Sequence, residues 1–257
     1  MNFNVVELDN VSLTYHEPHA ETHALKNLNL TVSRGEFTAI VGPSGCGKTS
    51  MLSLLAGIIR PSEGSVYVLG KEADGPNERV GYMLQRDHLL DWRTIEGNIM
   101  LGLEVKKKKN AQTAAHAMNL LDRYGLYDFR NHYPRQLSGG MRQKVALIRT
   151  LAFDPEILLL DEPFSALDYQ TRLIISEEVH GIIREENKTA LLVTHDIAEA
   201  ISMSDRVVVF SHRPAKVKRE YMIDLPCSPF ARRNKVQFQE YFNSIWKELH
   251  NDDSGQS

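Results

Sequence analysis

The sequence predicts an α/β fold in which a parallel sheet carries a helical insertion, and three observations lead there. Short apolar runs alternate along the chain with amphipathic helical stretches, the pattern of a parallel sheet packed between other layers. One such run, "FTAIVG", ends in a glycine-rich loop that opens into a helix. Between residues 87 and 154 the strand-like alternation vanishes and helical spacing with polar faces replaces it.

Taken in order, "VELDNVSLTY" (Val6–Tyr15) and "LNLTV" (Leu28–Val32) alternate as half-buried strands do, and "SRGE" turns the chain after them. "FTAIVG" (Phe37–Gly42) is a buried parallel strand feeding a loop, and "CGKTSMLSLLAGI" is the helix that follows. "PSEG" stops that helix, and "SVYVLG" and "RVGYMLQ" are further strands. In the insertion the clearest helices are "AQTAAHAMNLLDRYGL" and "LSGGMRQKVALIRTL". The core then resumes with the strand "ILLLDEP", a helix around "RLIISEEVHGIIREEN", the strand "TALLVTHD", a helix around "IAEAISMS" and the strand "RVVVFS", which calls for helices on both faces of the sheet. "SHRPAKVKRE" fits a turn. Phe238, Tyr241, Phe242, Ile245, Trp246 and Leu249 give one apolar helical face, expected to dock on its own domain, and "NDDSGQS" is expected to be a solvated tail. The boundaries follow: an α/β core of residues 1–86 and 155–225, a helical subdomain of residues 87–154, and a terminal helix and tail of residues 226–257, all within one domain.

Composition narrows the function. A length of 257 residues with 42% hydrophobic content suits one large domain, and a net charge of -3 is no footprint of a nucleic-acid binder. No apolar run approaches the roughly 20 residues of a spanning helix, and no leader pattern opens the chain, so a soluble, cytoplasmic protein is expected. Two cysteines, Cys46 and Cys227, make neither a disulfide framework nor a zinc site. The run "KKKK" (Lys106–Lys109) is expected to be a solvated edge of the insertion rather than a lipid contact.

The chemistry sits in a few short stretches. "GPSGCGKT" fits G-x-x-x-x-G-K-[ST] between a strand and a helix. The loop Gly42, Pro43, Ser44, Gly45, Cys46 and Gly47 curls its backbone N–H groups, which all but Pro43 possess, toward one anion, and Ser50 continues the helix start. Lys48 is a point charge for β and γ phosphates, and Thr49 offers a hydroxyl to Mg²⁺. Cys46 is read as a small filler, although a helix start can activate a thiol. "ILLLDEP" ends a buried strand in carboxylates. Asp161 is assigned to the metal and Glu162 to the water that attacks the γ phosphate. In "LSGGM", Ser138 caps a helix while Gly139 and Gly140 leave room for close approach, so a second anion-ready helix start exists on the insertion.

The order of "GPSGCGKT", Gln85, "LSGGMRQ", "ILLLDEP", "SALD" and His195 resembles the nucleotide-binding subunit of ABC transporters over nearly the whole chain. "MLQRDHLLDWRTIEGNI", "LSGGM" and "LLVTHDIAEAISMSDRVVVFS" look like the importer subgroup for nitrate, sulfonate, taurine and similar small substrates. The resemblance implies a P-loop NTPase core with an N-terminal antiparallel β portion and an inserted helical subdomain. It implies ATP and Mg²⁺ as ligands, with Tyr15 stacked on adenine, Gln85 joining metal and water, and His195 holding the γ phosphate. Asp168 of "SALD" would lie at a dimer seam, although it is nearly as well read as a helix N-cap. One chain's triphosphate is already wrapped by Gly42 to Thr49, so the helix start at Ser138 is expected to serve a second copy in a head-to-tail dimer with two equivalent sites. Membrane permease subunits, and through them a substrate-binding protein, are the implied partners, with no nucleic acid and a place on the cytoplasmic face of the membrane. A soluble ABC-type ATPase acting on nucleic acid or ribosomes would share these motifs but would bring two cassettes or a long coiled coil. A P-loop kinase or switch would not need "LSGGM".

Overall fold

The computed structural model describes residues 4–17 and 20–251; Asp252–Ser257 of the expected tail lie outside the described residues. Two sheets form its frame. Strands β1 (Asn4–Glu17), β2 (Ala20–Ser33), β4 (Glu63–Val68) and β5 (Lys71–Glu72) make an antiparallel sheet in the order β2-β1-β4-β5. Strands β3 (Phe37–Val41), β6 (Val80–Met83), β7 (Ile157–Asp161), β8 (Thr189–Val193), β9 (Arg206–Phe210) and β10 (Val217–Met222) make the second, in the order β10-β9-β3-β8-β7-β6. All of its neighbours are parallel except β10 on β9.

The two-residue period of the central strands separates two apolar layers. Phe37, Ala39, Leu158, Leu160, Leu192, Val207 and Val209 face one layer, and Ile40, Ile157, Leu159, Leu191, Val208 and Phe210 face the other. On the first side lie α2 (Ile95–Val105), α3 (Ala111–Arg123), α4 (Gly139–Leu151), α5 (Tyr169–Glu185), α6 (Ile197–Met203) and α8 (Val236–His250). Helices lie on both faces, as expected, but unequally: among the described residues the second face is shared between a helix and a sheet. It carries one helix, α1 (Lys48–Leu55), and the antiparallel sheet, whose Leu8, Val11, Leu28 and Leu30 close over Met51, Leu52 and Leu55. The sequence pattern explains why: β1 and β2 hold one dry and one wet face, so they form a lid on a layer rather than a layer between two others.

Three further differences have local causes. "SHRPAKVKRE" is a turn only as far as Lys216; Val217 onward is strand β10, paired with Val207–Phe210. Helix α2, capped by Thr94 accepting from the Gly97 N–H at 3.1 Å, stands out poorly in sequence because Gly97 and Gly102 dilute its spacing. The lysine run is only partly a solvated edge: Lys106 lies 4.0 Å over the Phe153 ring, Lys108 pairs with Glu78 at 2.7 Å and Lys109 with Glu104 at 3.1 Å. The terminal helix α8 docks as expected, burying Phe238 and Ile245 while Trp246 stays half exposed and stacks on His250. The short helix α7 (Pro229–Arg232) precedes it.

Helix α6 contains a buried acid, Glu199, 3% exposed, with one side-chain oxygen lacking a hydrogen-bond partner. Burial, aided by the charge of Asp196, pushes its pKa up to about 8. The folded state therefore keeps a proton that the unfolded chain releases near its ordinary value. Glu199's contribution to stability is complete below that value and is lost as the pH rises through about 8. Glu199→Gln is expected to flatten this loss, which amounts to about 1.4 kcal/mol per pH unit between the two pKa values. Melting curves from pH 5 to 9 check it, and parallel pH profiles of the two proteins would refute it.

Candidate active site

An open cleft of about 670 Å³ lies at the carboxyl ends of β3, β7 and β8, and its walls include Tyr15, Ser44, Gly45, Gly47, Lys48, Thr49, Ser50, Gln85, Asp161, Glu162 and His195. Parallel strands with loops leaving their carboxyl ends make such a crevice by construction. The glycine loop runs from β3 to α1. Gly47 precedes α1 at φ +126°, and a Cβ there would stand 2.7 Å from the Ala24 carbonyl oxygen, so only glycine fits. Gly42 is held close as well, since an added Cβ would lie 3.0 Å from the Phe210 Cβ. The Lys48 ammonium is buried and donates to the carbonyls of Gly42 at 2.8 Å and Pro43 at 2.9 Å. Cys46 is 1% exposed and burial pushes its thiol pKa up, so it fills space and is not an activated nucleophile.

Two carboxylates end the strand β7 side by side in different settings. Asp161 is buried; burial pushes its pKa up, opposed first by the Thr49 hydroxyl, which donates to it at 3.2 Å. The Tyr82 hydroxyl donates to its other oxygen at 3.4 Å. Glu162 leaves the strand at φ +44°, with its N–H donating to the Val193 carbonyl at 2.8 Å, and this left-handed residue swings its side chain out of the sheet. There the Gln85 amide N–H donates to one carboxylate oxygen at 3.0 Å and His195 Nδ1 stands 3.3 Å from the other. Three residues far apart in sequence thus meet on one carboxylate. Tyr15 projects 39% exposed at the cleft edge and donates to the Ser50 hydroxyl at 3.0 Å.

Ser138, Gly139, Gly140 and Asp168 do not line this cleft. Ser138 caps α4, accepting from the Met141 N–H at 3.3 Å, and is exposed. Gly140 is buried against α5, where a Cβ would press on Ile175 and Thr171 at 3.2 Å, a packing reason for glycine beside the anion-site expectation. Asp168 caps α5 by accepting from the Thr171 N–H at 3.0 Å, which also lowers its carboxyl pKa. Sequence reasoning missed Tyr82, Thr22 and Arg213 in this region. Only the register shows Tyr82: it pairs with Leu159, two residues before Asp161 on the same face.

Comparison with known proteins decides the family. Residues 25–165 match the model of the ABC transporter family, described as "ABC transporter". The chain belongs to the ABC transporter family. An ABC transporter ATP-binding protein from Bacillus subtilis, YtlC, is 45% identical to it over 247 residues, covering 95% of each chain. The taurine import ATP-binding protein TauB of Pelagibacter ubique is 40% identical over 223 residues, covering 86% of this chain and 82% of that one. Among solved structures, the dimeric ATP-binding cassette MJ0796 in a post-hydrolysis state with ADP and Pi superposes with a TM-score of 0.72 at 33% identity, covering 86% of this chain and 99% of that chain. The protein is an ABC ATPase. Among the described residues no helix is long and apolar enough to cross a membrane.

Proposed function

We propose that this ABC ATPase powers import of a small substrate of the taurine, nitrate or sulfonate kind, working as a head-to-tail pair on the cytoplasmic face of a membrane beneath permease subunits fed by a substrate-binding protein. The single observation that carries the catalytic part is the gathering of Gln85, Glu162 and His195 on one carboxylate beside the glycine loop. Likeness to a taurine import protein supports the substrate class.

In this reading Tyr15 stacks on adenine, the N–H groups of Gly42 to Thr49 wrap the β phosphate, and Lys48 meets the β and γ oxygens. Glu162 takes the proton of the attacking water, which Gln85 and His195 keep in line. The donors beside them fit a hard divalent cation: Thr49, Asp161 and Gln85 offer oxygens, and Asp161 is a buried carboxylate that a cation would relieve. Among the described residues no group of three His, Cys, Asp or Glu side chains could hold a metal by itself, which suits an ion shared with phosphate. Mg²⁺, held by Thr49, Asp161 and Gln85, would supply positive charge against the phosphates.

Ser138 and Gly140 stand on the helical subdomain of residues 87–154, away from the chain's own cleft, and are assigned to the γ phosphate of a second copy, with Asp168 at the seam. ATP then joins two copies and its hydrolysis releases them, a two-state switch driven by differential binding. The test is dilution. ATPase rate per chain is expected to rise with protein concentration until the pair is complete, and Ser138→Arg to remove the rise. A rate per chain independent of dilution would refute the shared site, and purification without an integral membrane protein would refute the importer.

A further inference from the structure

We infer that Arg172 is a positioning residue that ties the loop of "SALD" to the turn carrying His195, so that what happens at the seam reaches the Glu162 carboxylate. This rests on the reading of Glu162 and His195 as the pair that handles the attacking water.

Two loops leave the sheet side by side here. One runs from Glu162 through Ser165 to Asp168 and enters α5; the other runs from Thr194 through His195 to Asp196 and enters α6. Each is tightly folded within itself. The Ser165 hydroxyl donates to the Glu162 carbonyl at 3.0 Å, Leu167 N–H to the Phe164 carbonyl at 3.1 Å, and Asp196 N–H to the Thr194 hydroxyl at 3.0 Å. Among the described residues the side-chain polar links between them are the Glu162–His195 pair at the cleft and one guanidinium behind it. Arg172, in the first turn of α5, donates from one terminal nitrogen to the Leu167 carbonyl at 3.0 Å and from the other to Asp196 at 3.3 Å. Asp196 uses its second oxygen to cap α6 through the Glu199 N–H at 3.0 Å. The carboxylate next to His195 is therefore held between a helix start and a cation that is itself seated on the seam loop.

The bond network gives a route for transmission. Leu167 adjoins Asp168, so a partner pressing on the seam moves the carbonyl on which Arg172 rests. A planar guanidinium with two fixed donors passes that displacement to Asp196 as a strut, where a flexible ammonium would absorb it. Asp196 moves its neighbour His195, and the 3.3 Å contact with Glu162 changes.

The experiment separates positioning from mere folding through Asp196→Asn. Asparagine caps a helix as well as aspartate does, so α6 stays intact while the charged bond to Arg172 is lost. Arg172→Lys, Arg172→Ala and Asp196→Asn are each expected to lower kcat roughly three- to thirtyfold with KM for ATP unchanged. The Arg172→Ala, Asp196→Asn double variant is expected to be no slower than the worse single one, since both break one link. Additive losses, a full-rate Asp196→Asn, or a parallel rise in KM would each overturn the strut. Glu162→Gln run alongside keeps the two readings apart: if it turns over normally, the base assignment fails whatever Arg172 does.

Discussion

Glu162→Gln is expected to cut ATP turnover by roughly 10²- to 10⁴-fold, the range a positioned general base contributes, while ATP still binds. The substitution is nearly isosteric. Gln85 donates to Oε2 and His195 lies near Oε1, and an amide in the same place still offers one oxygen to these partners but can no longer take a proton. The backbone is undisturbed, since φ of +44° and the bond from Glu162 N–H to Val193 belong to the main chain and not to the carboxylate. Binding survives because the glycine loop and Lys48 are intact. With binding retained and release blocked, the paired state accumulates, and size exclusion with ATP is expected to show twice the mass of the single chain. Normal turnover would move the base role elsewhere; lost ATP binding would mean that the carboxylate holds the loop together instead. Asp161 is no substitute base, because it is buried and engaged by Thr49 and Tyr82.

How much of this was legible in the sequence depended on the range of the interaction that fixes each feature. The glycine loop, the Ser138 cap and the strand β7 are set by neighbours in the chain, and their residue types announce them. Largely apolar runs such as "TALLV" declare buried parallel strands for the same reason. The antiparallel lid over α1 was not legible, because a half-dry strand says that it covers something without saying what. Strand β10 hid for another reason: "VKREYM" is polar at most positions, as an edge strand with one neighbour is allowed to be. In the site, the resemblance pointed to Gln85 and His195, while the residue chemistry alone would have left both as surface groups. Tyr82 and Arg172 needed coordinates. Tyr82 sits inside an apolar alternation and reads as packing until the β6–β7 register sets it beside Asp161. Arg172 reads as a solvated helix charge until its guanidinium is seen bridging two loops. Gly140 shows the converse case: a glycine expected to leave room for a ligand also has a packing partner in its own chain, which the sequence did not announce.

Lys48→Ala is expected to fail at the opposite step, losing nucleotide affinity rather than the proton transfer. Its ammonium is buried and donates to the loop carbonyls of Gly42 and Pro43, so the cation is placed within the loop before any phosphate arrives. A charge already positioned spends little conformational entropy when the anion binds, which raises its worth over that of an exposed lysine. Hydrogen bonds to a charged group contribute about 1.5 to 3 kcal/mol each. Losing one such contact to the phosphates weakens ATP binding about ten- to a hundredfold. ADP loses less than ATP if the γ oxygens are its main partners, and adenosine loses nothing. The loop also loses a tie between its own carbonyls, so part of the effect is on the shape of the cradle, and Lys48→Arg separates the two contributions. Arginine keeps the charge but cannot fit the same buried point donor between two carbonyls, so poor recovery by arginine assigns the loss to geometry and good recovery assigns it to charge. Calorimetric titration with ATP, ADP and adenosine measures all three. A twofold or smaller change for ATP would remove Lys48 from the phosphate site, and with it the reading of the glycine loop as the cradle.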